Sequence, residues 1–233
     1  MVAFELAVQD KYGLTVAACL AAEGVDRIEL CSALALGGLT PSLGLILTAA
    51  AAPGMPPVHV LIRPRPGGFV YTPDEAAVMT ADIGYAVSAG AAGVVVGGVR
   101  DGKVDTELMK RVIDAAGERP VTFHRAFDTL EGPAEAVETL IDLGVARILA
   151  SATDLATLAT AVETAAGGIE IMAGGGVRPH LVEKIVRTGA DAIHASAKHT
   201  VPDPGGLDGE RTRETTDEEE ALRIIAALRA ATA

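Results

Sequence analysis

The sequence is poor in aromatic residues: it has no tryptophan, three tyrosines and four phenylalanines among 233 residues. Hydrophobic residues nevertheless make up 49% of the chain, and many of them are small. This composition favours many closely packed elements over an aromatic-rich sandwich. A chain of this length can bury a sufficient core without disulfides or a structural metal. We therefore predict a single domain over residues 1–233.

Cysteine is also scarce, since Cys19 and Cys31 are the only two. No CxxC pair or Cys/His ligand spacing occurs, which argues against a disulfide framework and against a structural zinc site. A reducing compartment fits this usage.

Basic residues are outnumbered, with 19 Lys and Arg against 31 Asp and Glu, for a net charge of −12. Nucleic acids and anionic membranes require clustered basic residues, so we expect neither as a partner. The segment MVAFELAVQD has no basic region of a signal peptide, and no run of about 18 apolar residues occurs. We predict a cytoplasmic protein, in which any anionic ligand is held by local charge.

A strand and a helix alternate along the whole chain. Helical patterns end at a glycine, as at Gly24, Gly90, Gly144 and Gly189, and a β-branched run follows each of them. The predicted strands are 3–8, 26–31, 57–63, 93–97, 120–124, 146–151, 169–173 and 191–196. The predicted helices are 11–23, 41–52, 73–89, 105–116, 132–143, 154–166, 178–188 and 217–231.

Eight strand-helix units in this length predict an α/β fold with a parallel sheet closed into a single-domain (β/α)8 TIM-like barrel. No GxGxxG motif follows the first strand, which disfavours a dinucleotide-binding sheet. Residues 199–216 are predicted to form a long loop after strand eight, either a cover over one end of the barrel or a solvated loop, before the last helix at 217–231.

Alternation along each strand indicates which side chains face the lumen, because the outward face must be apolar to meet the helices. The predicted inward set is unusually polar for a barrel, whose interior is normally filled by branched apolar side chains. Buried charges need partners, water or a ligand. The polar inward residues are Glu5, Arg27, Glu29, Cys31, His59, Arg63, Thr122, His124, Glu170, His194 and Ser196.

Residues late in each strand lie at the end where barrel active sites are found. Glu5 and Glu29 are general acid/base candidates, because burial and a neighbouring like charge raise the pKa of a carboxyl. His124 would share proton transfer, and Asp128 in the next loop is a further catalytic candidate. A divalent-metal variant would use Glu29, His124 and Glu5 as ligands.

A second set of candidates suits an anionic ligand. Guanidinium groups bind carboxylates and phosphates, and loops after the last two barrel strands often bind phosphate through backbone amides. The predicted substrate-binding residues are Arg63, Arg65, Arg125, Gly174, Gly175 and Ser196.

Each candidate also has a structural interpretation. The charged residues Glu5, Glu29, Arg63 and Arg125 could form a salt-bridge network that fills the barrel. His124, His59 and His194 could be hydrogen-bonded core histidines, Asp128 could cap the following helix, and the glycines of MAGGGVRP could form only a tight turn.

Six short segments together resemble the CutC family of copper homeostasis proteins. They are RIELC (27–31), GGLTPS (37–42), IRPRPGGF (62–69), TFHRAFD (122–128), IMAGGGVR (171–178) and IHASA (193–197). The resemblance extends from about residue 3 to 200 in order and spacing. It implies a cytoplasmic TIM-barrel-like fold, often dimeric, and a role in copper homeostasis with copper ion binding, as Cu(I).

The sequence departs from the family pattern at the residues that matter for copper. Many relatives carry cysteines just after the glutamate of the first strand, where this chain has Leu6 and Ala7. Cu(I) prefers thiolate and thioether ligands. Cys31 is then the candidate metal ligand, helped by His124 or a second subunit, and its alternative role is that of a small buried hydrophobe.

A second functional hypothesis therefore stands beside copper homeostasis. The polar barrel mouth would suit an enzyme of isomerase, aldolase or lyase type that acts on a small anionic or phosphorylated metabolite. The sequence does not choose among these reactions.

Overall fold

In the computed structural model, which describes residues 2–205 and 212–232, eight parallel strands form a closed barrel and the helices surround it. The predicted (β/α)8 fold is therefore confirmed. The strands are β1 (Ala3–Val8), β2 (Arg27–Leu30), β3 (Val58–Leu61), β4 (Gly93–Val96), β5 (Val99–Arg100), β6 (Lys103–Val104), β7 (Val121–Phe123), β8 (Arg147–Ser151), β9 (Glu170–Gly174), β10 (Ala192–Ala195), β11 (Lys198–Pro202) and β12 (Thr212–Thr216). The barrel order is β1-β10-β9-β8-β7-β4-β3-β2.

The helices follow the barrel strands as the sequence pattern indicates. They are α1 (Lys11–Leu20), α2 (Leu43–Ala50), α3 (Pro73–Ser88), α4 (Thr106–Ala116), α5 (Pro133–Asp142), α6 (Leu155–Ala165), α7 (Val182–Val186) and α8 (Glu218–Thr232). The helix predicted at 178–188 is shorter than expected, since a 3-10 turn at Pro179–Leu181 precedes α7. Within the described ranges, no helix combines the length and the apolar character needed to cross a membrane.

Local sequence fixes where several helices begin. The Asp10 carboxylate accepts a hydrogen bond from the Gly13 amide at the start of α1, at 2.8 Å. Thr72 and Glu75 form a reciprocal capping box at the start of α3. These contacts satisfy amides that have no partner inside the helix, so they position the loops that precede the helices at the mouth of the barrel.

The main core lies between the barrel and the helices. The outward side chains of the strands, such as Phe4, Ile28 and Phe123, are completely buried against it. This agrees with the alternation used to assign the inward residues, because every second side chain of a strand meets the helix layer.

The segment 199–216 differs from the predicted loop. β11 and β12 pair as an antiparallel hairpin, with Lys198 opposite Thr216 and Pro202 opposite Thr212. The side-chain amide Nε2 of Gln9 donates to the Glu214 carbonyl at 3.2 Å, which places the hairpin beside the start of α1. Residues 206–211 of the predicted loop lie outside the described residues.

An ion network fills the amino-terminal half of the lumen. Glu5 pairs with Arg27 at 2.8 Å, and Arg27 also pairs with Glu170 at 2.5 Å. Glu170 pairs in turn with Arg147 at 2.9 Å, and Arg147 donates to the Thr122 hydroxyl at 2.8 Å. These charges are therefore mutually compensated and structural.

Replacing Arg27 by methionine should destabilise the protein strongly, because the buried carboxylate of Glu5 would lose one of its two partners. We expect the free energy of unfolding at pH 7 to fall by about 3 kcal/mol, measured by urea denaturation. The matched control is Arg187→Met, which removes an exposed arginine paired with Glu183 and should cost less than about 1 kcal/mol. Equal effects of the two substitutions would contradict the structural role of the network.

Candidate functional site

A cavity of about 270 Å³ opens at the carboxyl ends of the barrel strands. Six of the predicted site residues line it: Glu29, Arg63, His124, Arg125, Gly175 and Ser196. The lining also includes His194, Gly176, Arg178 and Lys198, which were not among the predicted site residues. The strand ends thus bring together residues that are far apart in sequence.

Glu29 and His194 line the base of this cavity, and Glu5 lies behind them, outside the lining. Glu5 is completely buried, and its Oε1 lies 2.8 Å from Nδ1 of His194. One ligand atom each of Glu5, Glu29 and His194 lies within 4.8 Å of the others. We call these three residues the floor cluster. Parallel pairing explains the arrangement, since Glu5 lies opposite His194 in β10 and opposite Arg27 in β2.

The two carboxyl groups of the floor cluster have opposite pKa shifts. Burial tends to raise the pKa of Glu5, but the hydrogen bond and charge of His194 and the charge of Arg27 lower it to about 2. Burial raises the pKa of Glu29 to about 7; His194 opposes this shift and the negative charge of Glu5 adds to it. Near neutral pH, Glu5 is ionised while Glu29 is close to its titration midpoint.

Glu29 is the member of the cluster without a partner. Its side chain is only 6% exposed, and no hydrogen bond or ion pair engages its carboxyl group among residues 2–205 and 212–232. Burial of a carboxyl group without compensation is unfavourable. The group therefore suits a ligand that enters the cavity.

His194 has a fixed orientation. Burial lowers the pKa of its imidazole, yet the charge of Glu29 and the hydrogen bond to Glu5 outweigh burial and raise it. Because Glu5 occupies Nδ1, Nε2 is the ring nitrogen available to a ligand. The sequence also allows His194 to be a hydrogen-bonded core histidine. That interpretation is incomplete, because His194 joins the ion network through Glu5 and also lines the cavity.

The pKa of His124 is shifted in the opposite direction from that of His194. Its Nδ1 accepts a hydrogen bond from the Ala126 amide at 3.1 Å, so the proton of the neutral ring lies on Nε2. Burial and the charge of Arg63 lower the pKa of the ring to about 3. Nε2 is buried and has no partner in the described part of the chain. His124 is therefore a neutral hydrogen-bond donor and a poor proton acceptor.

Arg63 connects two loops at the mouth of the barrel. Nη1 donates to the carbonyls of Leu36 and Gly38 at 3.0 and 2.9 Å, and Nη2 donates to Gly67 at 2.7 Å. No carboxylate pairs with this buried guanidinium among the residues described, and its Nε has no partner. Arg63 thus supplies a positive charge to the cavity that no acidic side chain neutralises.

Besides Glu5, three predicted catalytic or substrate-binding residues lie outside the lining of the cavity. Arg65 pairs with Glu75 and donates to loop carbonyls, so local contacts hold it away. Asp128 accepts from the Ser151 amide at 2.8 Å and pairs with Arg125 at 2.7 Å, which makes it a positioning residue. Gly174 is the last residue of β9, pairs with His194 and has no contact with the cavity space.

Cys31 also lies outside the cavity lining. It is completely buried with Leu61 and Val95, and its thiol approaches the Val8 carbonyl at 3.5 Å. Burial and the nearby charge of Glu29 raise the pKa of the thiol well above its usual value, which disfavours the thiolate that binds Cu(I). The geometry fits the small buried hydrophobe better than the predicted metal ligand.

The floor cluster differs in one member from the metal set considered from the sequence. His194 takes the place of His124 beside Glu5 and Glu29, because β10 lies next to β1 in the barrel whereas β7 lies across it. Two carboxylates and an imidazole are ligands that suit divalent cations better than Cu(I).

Comparison with known proteins agrees with this architecture. The model of the CutC family matches residues 2–199. A CutC family protein of Rhizobium meliloti (strain 1021) is 42% identical over 211 residues, which cover 86% of this chain and 83% of the relative. The human copper homeostasis protein cutC homolog is 42% identical over 185 residues, or 76% of this chain and 67% of the relative.

A solved crystal structure is similar to this chain in both sequence and fold. The crystal structure of the CutC protein from Streptococcus agalactiae is 33% identical and superposes with a TM-score of 0.78, covering 84% of this chain and 99% of that one. The family model, over residues 2–199, spans all eight barrel strands from β1 to β10 and includes the residues of the floor cluster. Sequence and structure agree that this chain belongs to the CutC family.

Proposed function

We propose that this chain takes part in copper homeostasis by binding a copper ion at the floor cluster. The observation that carries the proposal is the unpartnered carboxyl group of Glu29, which lies beside His194 and Glu5 at the base of an open cavity. The name of the human relative, a copper homeostasis protein, supplies the biological context. Of the two functions considered from the sequence, family membership favours this one over a barrel enzyme.

Each member of the floor cluster would have a distinct role. The Glu29 carboxylate and Nε2 of His194 would be the direct ligands. Glu5 would hold Nδ1 of His194, as it does at 2.8 Å in the structure. Carboxylates commonly orient metal-binding histidines in this way and increase their basicity. Arg27 would keep Glu5 ionised for that purpose.

The donor atoms favour copper in its divalent state. Oxygen and imidazole ligands suit Cu(II), and among divalent first-row ions Cu(II) binds most tightly to a given site of this type. The proposal therefore places copper away from Cys31, whose buried thiol has a raised pKa. Exposed Cys19 lies in α1, in the outer ring.

A cytoplasmic location and a homodimer belong to the same proposal. Support for a dimer comes from exposed apolar side chains on the adjacent helices α2 and α3, namely Leu47 on α2 and Val78 and Tyr85 on α3. Light scattering should give twice the mass of 23.7 kDa, and a monomeric mass would contradict the dimer. Cell fractionation tests the location.

Copper titration tests the ligands directly. We expect Glu29→Gln to weaken Cu(II) binding at least about tenfold in calorimetric titrations, because the substitution removes a charged ligand but preserves shape. His194→Gln should have a comparable effect. Cys31→Ala is the matched control and should bind as the unchanged protein does. Loss of binding in Cys31→Ala, with binding intact in Glu29→Gln, would contradict the proposed site.

In the copper-free protein, burial of the ionised Glu29 carboxyl group should lower the free energy of unfolding. Its pKa is about 7 in the folded chain against an ordinary 4.5, so the folded state binds more protons between these values and loses stability as pH rises through them. Glu29→Gln should therefore stabilise the protein by on the order of 3 kcal/mol at pH 8 and very little near pH 4. Urea denaturation at both pH values measures this, and a pH-independent difference would refute the unpartnered state.

A further inference from the structure

We infer that the cavity holds a second binding site, for the phosphate group of a small phosphorylated molecule, formed by the Gly175–Val177 backbone amides with Arg125 and Ser196. This phosphate subsite is separate from the floor cluster and does not rest on the proposed copper function. It concerns binding alone and implies no reaction.

The backbone after β9 provides the first group of donors. Gly175 and Gly176 both have φ of +81°, a left-handed conformation that glycine adopts without strain. Both residues line the cavity together with Val177. In the part of the chain that the structure describes, the amides of these three residues donate to no backbone carbonyl. Consecutive amides of this kind are well suited to bind an anion.

Arg125 brings a positive charge against Gly175. A Cβ atom added to Gly175 would lie 2.6 Å from Nη1 of Arg125, so the guanidinium lies against the bare backbone at that point. Asp128 holds Nε of Arg125 at 2.7 Å and accepts from the Ser151 amide. Among the residues that the structure describes, nothing engages the two terminal nitrogens of Arg125, which leaves them for a bidentate contact with phosphate oxygens.

The rest of the rim adds charge at longer range. Arg178 and Lys198 line the same cavity, and each also pairs with an acidic residue, Glu220 at 3.2 Å and Glu214 at 2.7 Å. Arg63 contributes a charge that no carboxylate balances among the described residues. A protein with a net charge of −12 thus concentrates cations around one cavity.

A buried donor without a partner is the independent sign of a ligand. His124 is only 5% exposed, lines the cavity and keeps its Nε2 without an acceptor in the described ranges. Leaving such a donor unpaired costs about 1–3 kcal/mol. An oxygen atom of a bound ligand would satisfy it.

The number and arrangement of donors favour a phosphate monoester over a carboxylate. Three backbone amides, the two terminal nitrogens of Arg125 and the Ser196 hydroxyl exceed what two carboxylate oxygens can accept, whereas a phosphate monoester offers three oxygens and a charge of about −1.5 to −2. The volume of about 270 Å³ admits a small molecule. The net charge of −12 argues against a nucleic acid.

Binding of defined probes to metal-free protein tests the inference. Inorganic phosphate and glycerol 1-phosphate should each bind saturably in calorimetric titrations, and the comparison of the two shows whether the site takes free phosphate or an ester. Acetate should bind much more weakly. Arg125→Gln should weaken binding of both phosphate probes at least about tenfold, the expected loss for a charge-assisted contact.

Two further variants make the result decisive. Arg187→Gln, an exposed arginine that pairs with Glu183 and does not line the cavity, should bind like the unchanged protein. Ser196→Ala should reduce affinity roughly threefold and serves as the second test if Arg125→Gln does not fold. Absence of saturable phosphate binding, equal binding by Arg125→Gln, or equally tight binding of acetate would overturn the inference.

Discussion

The buried carboxylate of Glu5 is held by Arg27 on one oxygen and by His194 on the other, each at 2.8 Å. These contacts keep Glu5 ionised, with a pKa of about 2, inside a barrel whose interior is normally apolar. Its fixed negative charge helps to raise the pKa of the neighbouring Glu29 and orients His194. The properties of the cavity floor therefore depend on one buried ion pair that itself lies below the cavity.

Inside the barrel, the buried charges are paired with opposite charges in one half of the lumen and not in the other. Toward the amino ends of the strands, Glu170 bridges Arg27 and Arg147, so each charge has an opposite partner. Toward the carboxyl ends, the Glu29 carboxyl group and the Arg63 guanidinium have no such partner within the described ranges. A structural network accounts for the first half, whereas both proposed binding sites draw on the second, because unpaired buried charges are costly without a ligand.

The strands, the helices and the inward set could be predicted from the sequence, because alternation and glycine caps are local signals. The partners of individual side chains could not be predicted, because those of the ion network and the floor cluster come from distant strands and local pairing elsewhere depends on the loop conformation. Arg65 and Asp128 have the residue types of a site but pair with nearby Glu75 and Arg125. His194 gains its role from Glu5 and Glu29, which lie on other strands. The β11–β12 hairpin was missed because its polar, proline-containing strands have weak strand propensity and form through pairing with each other.

Glu29 is a buried carboxyl group that has no partner among residues 2–205 and 212–232 and lies beside the ionised Glu5. A carbon-13 NMR titration of the Glu29 side-chain carboxyl in metal-free protein tests it most directly. We expect a titration midpoint near 7 for Glu29 and a Glu5 signal that stays ionised down to a pH of about 2. A Glu29 midpoint near the ordinary value of 4.5 would contradict it.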